Sequence, residues 1–166
     1  MVKLLHWKIV SLFCLLYLSS CAVPLRNSTP APVSNFTEQD LEVATKQAHQ
    51  TLNVLLKAMI APEPSYDYLG LKVRFRMPDG GTDDNWTEPV DYYNGIFTIR
   101  MVDGLTFDHN QHPGHTLDIP LRNVVDWMIV EKNGNLIGGY TIRLTYEHLT
   151  RDQQKEFLKV TGYIIK

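Results

Sequence analysis

Asn133-Gly134 constrains the fold of this chain more than any other pair of residues. It stands between two runs that read as strands, residues 126–131 and 136–144. A two-residue type I′ turn needs positive φ at both central positions, and Asn-Gly is the pair that tolerates it best, so the site marks a tight hairpin. A loop centred there sets the register: Trp127 falls opposite Tyr140, Asp126 opposite Thr141, Met128 opposite Gly139, and Ile129 opposite Gly138. A Trp–Tyr pair across two strands stabilises a sheet strongly. Trp127, Ile129, Leu136, Tyr140, Ile142 and Leu144 then share one face, which is assigned to the core. Gly138 and Gly139 leave a bare spot on each face, and glycine inside a strand marks a bulge or a close approach by another backbone or a ligand. Asp126, Trp127, Gly138, Gly139 and Tyr140 are therefore a candidate binding groove, weighed against a hairpin that simply specifies the fold.

The rest of the chain supplies elements to pack against that hairpin. Thr37, with Asp40 three residues on, reads as an N-cap and approximate capping box. Leu41, Ala44, Ala48, Leu52, Leu55, Leu56 and Met59 follow at helical spacing until Pro62 and Pro64. Residues 69–77 alternate apolar side chains with Gly70, Lys72, Arg74 and Arg76, the pattern of a half-buried strand. Residues 79–94 read as polar and turn-rich, 95–102 as a strand, 107–116 as a loop, and 117–121 as a short extended piece that Pro120 places at an edge or a strand start. Thr150 with Gln153 opens a last helix, Gly162 closes it, and residues 163–165 read as a final strand. The expected fold is α+β: an antiparallel sheet of about four or five strands with an N-terminal and a C-terminal helix packed on it.

Asp126-Trp127-Met128, Asn133-Gly134 and Gly138-Gly139-Tyr140-Thr141 together resemble the YegJ-like family of bacterial proteins, a domain of unknown function. The likeness runs forward into the Thr150 helix with Phe157, and more weakly back to Trp86-Thr87-Glu88 and Tyr93-Asn94-Gly95. It implies a fold and brings no activity.

The N-terminus carries an address. Lys3 and Lys8 precede an apolar run over residues 9–18, followed by Ser19, Ser20 and Cys21. Charge, apolar run and small residues in that order make a secretory signal. The run is too short to span a bilayer, which takes roughly 18 or more apolar residues. Leu18-Ser19-Ser20-Cys21 resembles a bacterial lipobox, which implies a diacylglycerol on the Cys21 sulfur and an acylated new N-terminus. By the same resemblance Ala22 favours the outer membrane, facing the periplasm. Pro24, Pro30 and Pro32 among Ser, Thr and Asn then read as a flexible tether. The expected division is a lipoprotein signal at 1–20, lipidated cysteine and tether at 21–36, and one domain at 37–166.

Without residues 1–20 the chain keeps 14 basic and 18 acidic side chains, net −4, and no cluster of basic and aromatic residues, which argues against nucleic acid. Cys14 leaves with the signal and Cys21 becomes a thioether, so the domain has neither thiol nor disulfide. Ser65 is the only serine after the tether, which leaves nucleophilic catalysis almost no candidate. There is no Gly-rich phosphate loop, His-Glu-x-x-His or Cys pair for zinc, and no cofactor is expected.

Three constellations remain. His109, His112 and His115 lie within seven residues around Pro113-Gly114 and are weak candidates for a transition metal, against a solvated loop. Asp79, Asp83, Asp84, Glu88 and Asp91 stand among Trp86, Tyr92 and Tyr93, a mixture that suits a sugar face; a glycosidase would need two of those carboxylates across a cleft. Lys72, Arg74 and Arg76 share a strand face that either meets an anionic ligand or discourages edge pairing. The expected function is a lipid-anchored, periplasm-facing binding or interaction module with an envelope protein or glycan as partner. The alternatives are a small carboxylate-dependent hydrolase of envelope glycans and a metal-binding envelope protein.

Overall fold

A computed structural model describes residues 36–103 and 112–166. Helix α1 (Glu38–Ile60) starts at the expected cap: Thr37 Oγ1 accepts from the Asp40 amide at 3.2 Å, and the Thr37 amide donates to Asp40 Oδ2 at 2.8 Å. Its buried stripe is Ala44, Ala48, Leu52, Leu55 and Ala58. Three of these five are alanine, so the helix backbone lies close to the sheet beneath it.

That sheet has six strands, all antiparallel to their neighbours: β1 (Tyr66–Arg76), β2 (Thr82–Tyr93), β3 (Ile96–Met101), β4 (Thr116–Pro120), β5 (Val124–Glu131) and β6 (Leu136–Gly138), in the order β4-β3-β2-β1-β5-β6. The α+β class is as expected, but the count exceeds four or five because residues 79–94 are largely a strand. Strand β2 hid from the pattern because its inward positions include Thr87 and Pro89, both buried, while Asp84, Trp86 and Glu88 point the other way. The Thr87 hydroxyl is satisfied by the Leu71 carbonyl at 2.9 Å. Pro89 sits at the register shift between Pro89 and Asp91, where a ladder tolerates a missing N–H. Pro120 does end an edge strand.

The core lies between α1 and one sheet face, built on Leu71, Val73, Phe97, Ile99, Val124, Trp127 and Ile129. The opposite face carries the alternate residues: Lys72 stands between Trp86 on β2 and Asp126 on β5, and Arg74 stands opposite Asp84.

The hairpin at Asn133-Gly134 forms, with two corrections. Only Gly134 has positive φ, at 88°, and the Glu131 amide bonds the Asn135 carbonyl at 3.0 Å, so the loop has three residues. Met128 therefore pairs with Gly138, Ile129 with Ile137 and Val130 with Leu136, one residue away from the two-residue register. The two-residue turn with positive φ at both positions is Asn94-Gly95, at 48° and 81°, joining β2 to β3.

The second correction concerns residues 136–144. The strand stops at Gly138; Gly138 (φ 70°) and Gly139 (φ 65°) reverse the chain, and Tyr140–Glu147 form helix α2. Trp127, Ile129 and Leu136 are core as expected, but Tyr140, Ile142 and Leu144 are half-buried on a helix instead of sharing a strand face. Two consecutive left-handed residues are incompatible with a strand and are cheap only for glycine. Helix α3 (Arg151–Thr161) has the expected Thr150–Gln153 capping box and ends at Gly162, φ 72°. The expected strand at 163–165 is a single bridge between Asn135 and Ile164.

Candidate functional site

The residues singled out around the hairpin do come together. Helix α2 has glycine at its N-cap and so no capping side chain of its own. Asp126 takes that role from the neighbouring strand. One carboxylate oxygen accepts from the Trp127 amide at 2.7 Å and the Tyr140 amide at 3.2 Å. The other accepts from the Thr141 amide at 2.7 Å and the Thr141 hydroxyl at 2.8 Å. Asp126 has no exposed surface. Burial pushes its pKa above the ordinary aspartate value, against the pull of the Thr141, Trp127 and Tyr140 hydrogen bonds. A carboxylate at a helix N-terminus also meets the positive end of the helix dipole.

Trp127 ties this cap to α1. Its indole N–H donates to the Ala48 carbonyl at 2.8 Å, and its ring meets Tyr140 edge-on, centroids 6.2 Å apart at 72°. The expected Trp–Tyr contact thus exists, made from a strand to a helix and not across two strands. The Tyr140 hydroxyl closes the circuit on Thr51 of α1 at 2.8 Å. A Cβ on Gly138 would lie 2.6 Å from the Trp127 carbonyl oxygen and 2.8 Å from its ring, and one on Gly139 would meet the Leu136 side chain at 2.9 Å. The two glycines therefore face side chains and backbone and do not open onto a cleft. Tyr140 lines a shallow groove of about 400 Å³ between α1 and α2, shared with Asp40, Gln47, Arg143 and Glu147. The Arg143 guanidinium there is engaged by the Gly138, Leu136 and Lys166 carbonyls.

On the sheet face away from α1, the charged side chains are ordered in cross-strand pairs. Arg74 grips Asp84 with two parallel bonds, Nε to Oδ1 at 2.7 Å and Nη2 to Oδ2 at 2.8 Å. Arg100 meets Glu88 at 2.7 Å, and Thr98 donates to Asp118 at 2.8 Å. Lys72 is different: its ammonium reaches the Thr141 hydroxyl at 3.3 Å and stands 5.8 Å from the centroid of the Trp86 ring, with no carboxylate within 4.0 Å among the described residues. Burial pulls its pKa below the usual lysine value, against the fields of Asp84 and Asp126. Beside it, Tyr68 leans over Gly70, and burial together with the Glu88 charge pushes its phenol up to about 12.

The family of the chain follows from its sequence as a whole: the model of a family described as "Uncharacterized protein conserved in bacteria (DUF2314)" matches residues 38–164. The chain belongs to that family. No curated protein and no solved structure matches it. The DUF2314 match spans the elements from α1 to the bridge at Ile164, so the Asp126 cap and the Lys72 face both lie inside it.

The remaining sequence candidates fall apart in space. Cys21 and His109 lie outside the described residues. The His112 and His115 rings stand 5.0 Å apart before β4, and among the described residues no group of three or more metal-ligating side chains assembles. The carboxylates of residues 79–94 follow one strand and are tied locally: Asp79 accepts from the Gly81 amide, Asp83 from Asn85, and Asp91 from the Tyr92 amide. Asp84 and Glu88 share a face but lie four residues apart, roughly 13 Å along a strand, beyond the spacing of a glycosidase pair. Edge protection does not account for Lys72, which β2 and β5 flank on both sides, whereas Arg74 and Arg76 lie past Val73, where the pairing with β5 ends. What sequence reasoning missed is Thr141, placed opposite Asp126 but given no role; an aspartate and a threonine flanking a Gly-Gly turn were the available signal.

Proposed function

We propose that this DUF2314 domain is a binding module, held by acylated Cys21 at the bacterial outer membrane and facing the periplasm on the tether of residues 22–36. The narrower YegJ-like resemblance fits the same reading. One observation carries it: the sheet is sealed by α1 on one face, while the other presents paired charges around Trp86 and Lys72. Two of those pairs, Arg74–Asp84 and Arg100–Glu88, keep part of their side-chain surface exposed among the described residues. Such an array stiffens a surface that a protein or glycan of the envelope can dock on.

The anchor and the surface are tested separately. Metabolic labelling with an alkyne palmitate analogue should mark the wild type and spare Cys21→Ser; equal labelling of both would sink the anchoring. Capture from envelope extracts by the full chain should weaken when Glu88→Lys and Asp118→Lys are combined. Undiminished capture by that folded variant would place binding elsewhere.

A further inference from the structure

We infer that Lys72 and Trp86 form a subsite for an oxyanion carried on a sugar ring, a sugar acid or a sugar phosphate. The inference rests on the reading of the open sheet face as a binding surface and names the chemistry of one part of it. An ammonium has three donors. Lys72 uses one of them on Thr141 at a long 3.3 Å. The charges around it are already engaged: Asp84 is held by both branches of Arg74, and Asp126 accepts four hydrogen bonds at the start of α2. Lys72 is thus the half-buried cation of this face that lacks a direct carboxylate partner among the described residues; Arg76 also lacks one but is exposed. Lys72 is half-buried in an inner strand, where a lysine whose donors lack acceptors is costly. An anionic oxygen arriving from the open side supplies the missing acceptors.

The surroundings define what carries that oxygen. The ammonium lies over the Trp86 ring, 5.8 Å from its centroid, so an anion that reaches Lys72 also meets an apolar indole able to take the C–H face of a sugar. On the next row, among the described residues, the Arg74–Asp84 pair leaves Arg74 Nη1 and the outer carboxylate lone pairs without partners, donors and acceptors suited to ring hydroxyls. Thr141 fixes the lysine from the other side and is itself fixed by Asp126. Lys72 is therefore positioned by the same interactions that hold α2, and little ordering is left for the ligand to impose.

The test is titration of the lipid-anchored protein, in detergent, with glucuronate, galacturonate, glucose 1-phosphate, glucose and inorganic phosphate, read by calorimetry and by the indole N–H signals of Trp86 and Trp127. A sugar acid or the sugar phosphate should bind and shift the Trp86 signal, and which of them does so identifies the oxyanion. Glucose and inorganic phosphate should each bind at least about tenfold more weakly, since each lacks one half of the contact. Lys72→Met and Trp86→Phe should each lose about tenfold or more, and Lys72→Arg should retain part of the affinity. No shift of the Trp86 signal by any charged sugar, or equal binding to folded Lys72→Met, overturns the inference. If envelope capture persists in Lys72→Met and fails only in the Glu88→Lys, Asp118→Lys variant, the subsite is wrong while the module reading stands.

Discussion

Asp126→Asn changes no shape and removes one acceptor, which makes it the sharpest probe of the cap on α2. The carboxylate receives four donors, two on each oxygen. A carboxamide has one oxygen, so its NH2 must face two of them. Turned toward Trp127 and Tyr140, it meets two backbone amides that cannot move. Turned toward Thr141, it leaves that amide orphaned, while the Thr141 hydroxyl can rotate to accept. The second orientation is cheaper: one buried unsatisfied amide costs about 1–3 kcal/mol. Loss of the charge at the helix start adds about 0.3–1 kcal/mol. Relief from burying an ion offsets part of this. The expected loss is about 2–3 kcal/mol, a large share of the 5–15 kcal/mol that typically holds a domain together. Urea unfolding should show a lower midpoint at unchanged slope, and hydrogen exchange should accelerate first at the Tyr140 and Thr141 amides. A midpoint equivalent to less than about 0.5 kcal/mol of change, with those amides still protected, would refute the capping role.

Three further outcomes follow from the same geometry. Gly138→Ala combines a left-handed backbone with a Cβ driven into the Trp127 carbonyl, so it should cost about 2–5 kcal/mol, whereas Gly139→Ala meets a movable leucine side chain and should cost less; thermal unfolding of both ranks them, and the reverse order contradicts the packing. Trp127→Phe removes the indole bond to the Ala48 carbonyl, which keeps the Thr51 hydroxyl at 3.4 Å and its place in the helix, so it should cost about 0.5–1.5 kcal/mol in urea unfolding. Tyr68 keeps its proton up to about 12 in the folded chain against 10.0 unfolded, so the folded state binds more protons in between. The stability this represents is present below pH 10 and is lost as pH rises toward 12. Absorbance at 295 nm should show a late-titrating phenol that is missing in Tyr68→Phe, and the variant should lose less stability over that range.

Legibility followed how local each signal was. Both capping boxes, at Thr37 and Thr150, were readable because their partners lie three residues apart. Strand β1 was readable because one of its faces is apolar. Strand β2 was not, because its stability comes from neighbours on both sides: Thr87 bonds Leu71, and Asp84 and Glu88 bond arginines of β1 and β3. The Asn133-Gly134 hairpin was located, but its length depends on whether asparagine takes positive φ, and that is decided by the strands it joins. Residues 140–144 have an alternation that fits a strand, and only the consecutive left-handed glycines before them decide for a helix. The residues of the candidate groove lie near one another, but Thr141 reaches Asp126 from the first turn of α2 and not from a paired strand. Their roles were out of reach because Asp126 acts on the far side of that Gly-Gly turn.

The consequence for function is a division between residues the fold uses and residues it does not. Asp126, Trp127, Gly138, Gly139, Tyr140 and Thr141 each have their polar groups or their space taken up inside the domain. A ligand competing for Asp126 would have to free the start of α2, at a cost comparable to the loss expected for Asp126→Asn. Recognition by that motif would therefore weaken the structure that presents it. Trp86 and Lys72 carry no such penalty: one is half-buried on the open face, and the other has donors to spare. The motif is best understood as the support that holds Thr141, and through it Lys72, in place on the sheet face away from α1.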